Sequence, residues 1–114
     1  MKSIVKEKAF RFALEVIQLY QRLKKKNEFV LSKQLLRSAT SIGANVEEAL
    51  AAQSRKDFLS KMSIASKETR ETRYWLRLMS VSKLEDEEYS SLLDKVEELN
   101  RMLTSIVKTT KEKS

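Results

Sequence analysis

Arg70, Arg73 and Arg77 follow one another at intervals of three and four, with Lys67 and Tyr74 close by in the chain. On a helix turning about 100° per residue, this spacing gathers the three guanidinium groups within about 60° of arc, with Lys67 and Tyr74 at its edge. A row of arginines suits a run of phosphates, and a neighbouring tyrosine suits stacking on an unpaired base. The same row equally suits ion pairs with an acidic helix, or simple solvation.

A second constellation lies upstream. Arg37, Ser41, Asn45 and Glu48 share one helical face, and Glu68 and Glu71 share another, in a stripe with Ile64, Trp75 and Leu78. An arginine among Ser, Asn and Glu, facing two carboxylates on the next helix, suits a charged hydrogen-bond network between helices. Breaking one partner out of such a buried pair costs about 3–5 kcal/mol. A solvated polar face is the alternative. Glu48, Glu68 and Glu71 also have the oxygen chemistry of hard-cation ligands, but the di-iron type of bundle needs Glu-x-x-His pairs and this chain has no histidine. The expectation is a structural role, with no metal and no cofactor.

Catalysis is disfavoured by what the chain lacks. It contains no His and no Cys, and its single Gly leaves no glycine-rich turn for a phosphate cradle or oxyanion hole. Its Ser and Lys residues are scattered over helical surfaces. The reading is therefore a non-enzyme.

The elements that must position these residues are helices. No Pro and one Gly in 114 residues, with Leu, Lys, Glu, Ser and Arg abundant, predict an all-α chain forming one domain, 1–114. Apolar residues at Val5, Ala9, Phe12, Val16, Leu19 or Tyr20, and Leu23 predict helix one over about 3–26, closed by three lysines and Asn27. Helix two, about 31–53, places Leu35, Ile42, Val46, Ala49 and Leu50 on a core arc, about 130° from the Arg37 face. Its flank carries Thr40, Ala44, Ala51 and Ala52 where long charged side chains would ordinarily stand, so this helix is expected to be covered on more than one side. Gly43 in its interior costs about 1 kcal/mol relative to Ala, which points to a close contact or a tolerated accident.

Ser54 and Asp57 resemble a capping box that opens helix three, about 55–80. Phe58, Met62, Ala65, Thr69, Thr72, Leu76 and Met79 then alternate steps of four and three, a heptad seam. Ser82 and Glu85, with the acids that follow, predict the capped start of helix four, about 84–110, whose core side is Tyr89, Leu92, Val96, Leu99, Leu103 and Ile106. Four such helices joined by short turns predict an antiparallel up-down-up-down four-helix bundle.

Charge is distributed unevenly along the chain. Residues 1–26 carry eight Lys and Arg against two acids, and residues 55–83 carry eight against three, whereas 84–107 carry two against seven. Helices one and three are thus basic and helix four acidic, so part of the net +7 holds helices together and the rest is available to a polyanion.

The run Gln34-Leu-x-Arg37-Ser38-x-x-Ser41-Ile42-x-Ala44-Asn45-x-x-Glu48, followed by Lys67-Glu68-x-x-Glu71-x-x-Tyr74-Trp75-Leu76, resembles a bacterial four-helix-bundle family. That family is known from reading frames inside intervening sequences of 23S ribosomal RNA genes. The resemblance spans helices two and three. It implies an antiparallel bundle assembling as a ring-like homopentamer, with no enzymatic activity, and it suggests nucleic-acid association by analogy with accessory proteins of diversity-generating retroelements. The family often has Pro where this chain has Gly43, and Gly where it has Ala49, so the shape of helix two is the part least fixed by the likeness.

The leading expectation is an oligomeric bundle presenting repeated basic faces to RNA or DNA. The alternative is a protein-interaction scaffold with no nucleic-acid ligand. Without a signal-peptide pattern or an apolar run of about 18 residues, a soluble cytoplasmic protein with no membrane partner is expected.

Overall fold

A computed structural model describes residues 3–113. The chain forms α1 (Ile4–Lys25), α2 (Val30–Leu50), α3 (Arg55–Val81) and α4 (Ser90–Glu112), with a short 3-10 turn, Leu84–Asp86, before α4. Among the described residues there is no strand. Each helix packs on its neighbours in chain order and α4 closes back on α1, giving a four-helix bundle of 47 × 22 × 21 Å.

The apolar periodicities set the core. Val5, Ala9, Phe12, Val16, Leu19 and Leu23 of α1 are all buried, and Leu19 rather than Tyr20 takes the inward place. In α3 the heptad residues Met62, Ala65, Thr69, Thr72, Leu76 and Met79 are buried, and Phe58 packs against them half-buried. Tyr89, Leu92, Val96, Leu99 and Leu103 supply the fourth wall. The threonines in this apolar seam satisfy their hydroxyls across the bundle. Thr72 Oγ1 donates to Ser38 Oγ on α2 at 2.9 Å, and Thr69 Oγ1 lies 3.2 Å from Asn100 Oδ1 on α4. Among the described residues no buried side-chain polar atom lacks a partner, as an interior of low dielectric requires.

Helix ends depart from the expected boundaries for local reasons. Asn27 adopts the left-handed conformation (φ 65°), and Glu28 N–H and Asn27 N–H donate to the carbonyls of Leu23 and Lys24, a Schellman closure of α1. Glu28 then turns forward, its carboxylate accepting from the backbone N–H groups of Val30, Leu31 and Ser32 to cap α2. Ser54 caps α3 as expected, accepting from Asp57 N–H at 3.0 Å, but α2 stops at Leu50, three residues before the expected Gln53.

The expected capped start of α4 at Ser82–Glu85 is a correction. Ser82 instead ends α3, and Lys83, Glu85 and Asp86 take positive φ in the connecting turn. Ser90 opens α4, and Glu88, held below the usual carboxylate range by hydrogen bonds from Ser90, accepts from its N–H.

Two expectations for α2 also change. Leu50 is 46% exposed rather than in the core, because the helix ends there and its side chain overhangs. Within one chain, Ala44 and Ala51 lie exposed on an open flank. Gly43 does meet α1 closely: a Cβ built there would lie 3.7 Å from Ala9, an ordinary van der Waals distance, so the crossing tolerates glycine without demanding it.

Candidate nucleic-acid interface

α3 carries the arginine row on its outer surface, on the side that turns toward α4. Arg70, Arg77, Lys67 and Tyr74 are exposed, while Arg73 is half-buried and donates from Nη1 to Glu97 Oε1 on α4 at 3.3 Å. The five candidates therefore share a surface but not a chemical state. Arg73 is neutralised, Arg70 is steadied by a 3.1 Å bond to Ser66 Oγ, and Arg70, Arg77 and Lys67 have no carboxylate in ion-pair range among the described residues. Tyr74, 53% exposed, meets the Trp75 ring edge-on with centroids 5.2 Å apart, which leaves a face of the phenol open.

Other charges that face one another across helices are paired. Along the α1/α4 seam Lys8 meets Glu98, Lys95 meets Glu15, and Arg22 and Lys26 converge on Glu87. The basic and acidic helices thus attract one another as the charge pattern implies, and the lower α3/α4 seam is where the pairing stops. There Arg70, Lys108 and Lys111, with Ser63, Ser66, Thr104 and Val107, line an open groove of about 380 Å³. Lys108 and Lys111 stand near the C-terminal end of α4, where cations also suit the negative end of the helix dipole. Their spacing with Thr104, at i, i+4 and i+7 on one face, is the signal that places them together.

The polar constellation on α2 divides in the structure. Arg37 donates to Glu68 at 3.4 Å and to Glu71, and Glu71 also accepts from Trp75 Nε1 at 3.0 Å. That Trp75 bond, with the Arg37 guanidinium, holds the Glu71 carboxyl below its usual range; Glu71 in turn raises Arg37 above its own. Ser41 and Asn45 form a separate pair one turn on, Asn45 Nδ2 donating to Ser41 O and Oγ at 2.9 and 3.0 Å. Glu48 is exposed beside a shallow depression with Ala51, Ala52 and Lys61. The six residues thus fall into an interhelical cluster of Arg37, Glu68 and Glu71, a Ser41–Asn45 pair and a separate Glu48, and in the cluster the Arg37 side chain is 52% exposed while Glu68 is 9% exposed. Among the described residues no group of three or more His, Cys, Asp or Glu is placed to hold a metal ion, and no helix is long and apolar enough to cross a membrane.

A family model described as 23S rRNA-intervening sequence protein matches residues 1–105. The chain belongs to this family. Among solved structures, the crystal structure of a protein of unknown function from the S23 ribosomal protein family of Bacteroides thetaiotaomicron is similar at 47% identity, with a TM-score of 0.84 over 92% of this chain and 99% of that one. None of the curated proteins compared with the chain matches it. The match to the 23S rRNA-intervening sequence family covers all of α1, α2 and α3 and most of α4, well beyond the two helices that carry the motifs.

Proposed function

We propose that this member of the 23S rRNA-intervening sequence family is a non-catalytic, self-associating bundle that binds RNA or DNA through its α3 surface. The observation that carries this reading is that Arg70 and Arg77, on either side of the paired Arg73, have no carboxylate in ion-pair range among the described residues and stand beside the exposed ring of Tyr74. Unpaired guanidinium groups release counterions from phosphates, and the tyrosine adds a stacking platform for an unpaired base. Self-association has its own support. Phe10, Leu14, Val30 and Leu50 are each between 46% and 71% exposed, and together with the small residues of the open α2 flank they offer apolar surface to further copies. A symmetric assembly, five-membered if it follows the family resemblance, would repeat the basic face and add weak contacts through multivalency.

The test is a salt titration of binding to single-stranded RNA, structured RNA and duplex DNA. Log affinity is expected to fall linearly with log salt, with little dependence on sequence. No binding at about 50 mM salt, where electrostatic association is strong, would overturn it. The scaffold reading, which the half-exposed Ile64 and Leu78 beside Trp75 support, would then lead. An apolar protein contact weakens much less with salt.

A further inference from the structure

The geometry points to the groove between α3 and the C-terminal turns of α4 as the seat of a nucleic-acid backbone, its phosphates held by Arg70, Lys108 and Lys111. This rests on the nucleic-acid reading above and deepens it by naming residues outside the arginine row. Three cations line the groove and no carboxylate does, while Ser63, Ser66 and Thr104 add hydroxyls that can donate to phosphate oxygens. Nothing in the packing calls for this concentration of charge.

Farther along the same seam Arg73 finds Glu97, and across the bundle Glu98, Glu15 and Glu87 answer the cations that face them. In the groove Arg70, Lys108 and Lys111 have no such answer among the described residues, and they repel one another. The negative end of the α4 dipole eases that repulsion only partly. An anion between the two helices would relieve it fully.

Arrangement also favours a backbone over an isolated charge. Ser66 accepts from Arg70 and so fixes one guanidinium at the groove wall, which lowers the entropy cost of a bidentate contact. Lys108 and Lys111, three residues apart on α4, share one helical face on the opposite wall, with the roughly 5–6 Å Cβ spacing of such pairs. Val107 gives the floor an apolar patch, suited to a sugar rather than to a hydrated ion. Continuing along α3, Arg77 and the Tyr74 ring extend the path beyond the groove.

The experiment compares the full chain, Lys108→Gln/Lys111→Gln, and a charge-matched Lys24→Gln/Lys25→Gln at the opposite end of the bundle, on a fluorescein-labelled mixed-sequence single-stranded RNA. Losing two phosphate contacts should reduce the slope of log affinity against log salt by about 1.4, and lower affinity roughly tenfold to hundredfold at about 50 mM salt. The control should lose much less. A third variant, Ser63→Asp, sets a carboxylate in the groove wall without removing any lysine and should weaken binding in the same direction. If the two double variants lose slope equally, the groove is no site although the nucleic-acid reading stands. If Ser63→Asp leaves affinity unchanged, the groove proposal also falls. Absence of binding by the unaltered chain overturns both.

Discussion

Arg73 Nη1 lies 3.3 Å from Glu97 Oε1, so the middle arginine of the α3 row is tied to α4 while Arg70 and Arg77 on either side are not. Both partners are part-exposed, so the pair contributes no more than about 1 kcal/mol to stability. Its larger effect is on what the surface offers a phosphate.

The row should therefore act unequally. Arg70→Gln and Arg77→Gln are each expected to reduce the salt slope of RNA binding by about 0.7 to 0.9, whereas Arg73→Gln reduces it less because Glu97 already occupies that charge. Glu97→Gln should strengthen binding by releasing Arg73. Fluorescence anisotropy across a salt series on the four variants measures this, and equal effects from the three arginines would contradict it.

Arg37 and Glu71 predict a pH-dependent contribution to stability. Arg37→Ala strands the nearly buried Glu68, so the loss at neutral pH should be about 1–2 kcal/mol, above that of an exposed pair and below that of a fully buried one. Glu71 has a folded pKa below its ordinary 4.5, so its stabilisation is complete above that value and is lost as pH falls through the lower, folded one. Urea melts should show the wild type and Arg37→Ala converging in acid. A gap that persists well below pH 4.5 would assign the effect to packing of the arginine stem instead.

Much of this architecture was legible in the chain because burial and periodicity report the same thing. Ala9, Met62, Leu76 and Val96 stand where a 3.6-residue period puts them, and all four are buried. Less legible were features that depend on two helices at once. The Thr72–Ser38 bond reads in sequence as a polar residue in an apolar seam, and the meeting of Lys108 with Arg70 has no local signature. Ser82 ends α3 although Ser followed by acids signals a helix start, and nothing local distinguishes the two. Glu28 does not read in sequence as the cap of α2 because it precedes the first helical residue by two and is not of the usual capping type.

Gly43 offers a test of the α1/α2 crossing. An added methyl group would meet Ala9 at 3.7 Å without a clash, and the helix would lose its least favourable interior residue. Gly43→Ala should raise stability by up to about 1 kcal/mol. Thermal melts showing destabilisation would mean that the two helices approach more closely in solution than this packing allows.

Tyr89 ties the turn between α3 and α4 to the core. Its ring is 2% exposed and its hydroxyl donates to the Leu84 carbonyl at 2.7 Å, which steadies a segment where Lys83, Glu85 and Asp86 all hold positive φ. Tyr89→Phe should cost about 0.5–1.5 kcal/mol at neutral pH by removing the closer of that carbonyl's two donors, the other being the Glu87 N–H at 3.3 Å. Burial, reinforced by the nearby carboxylates of Glu87, Glu28 and Glu85, pushes the phenol up from 10.0 to about 12. A group whose folded pKa is raised contributes fully below its unfolded value and loses that contribution as pH climbs through the folded one. The advantage of the wild type over Tyr89→Phe should therefore hold to about pH 10 and shrink between there and pH 12. Paired denaturant melts across that window remove the background from lysine titration, which is common to both proteins. A difference that stays constant through the window would show that the Tyr89 hydroxyl ionises no later in the folded chain than in the unfolded one, and that the turn is held by its backbone bonds and by Lys26 on the Glu85 carbonyl instead.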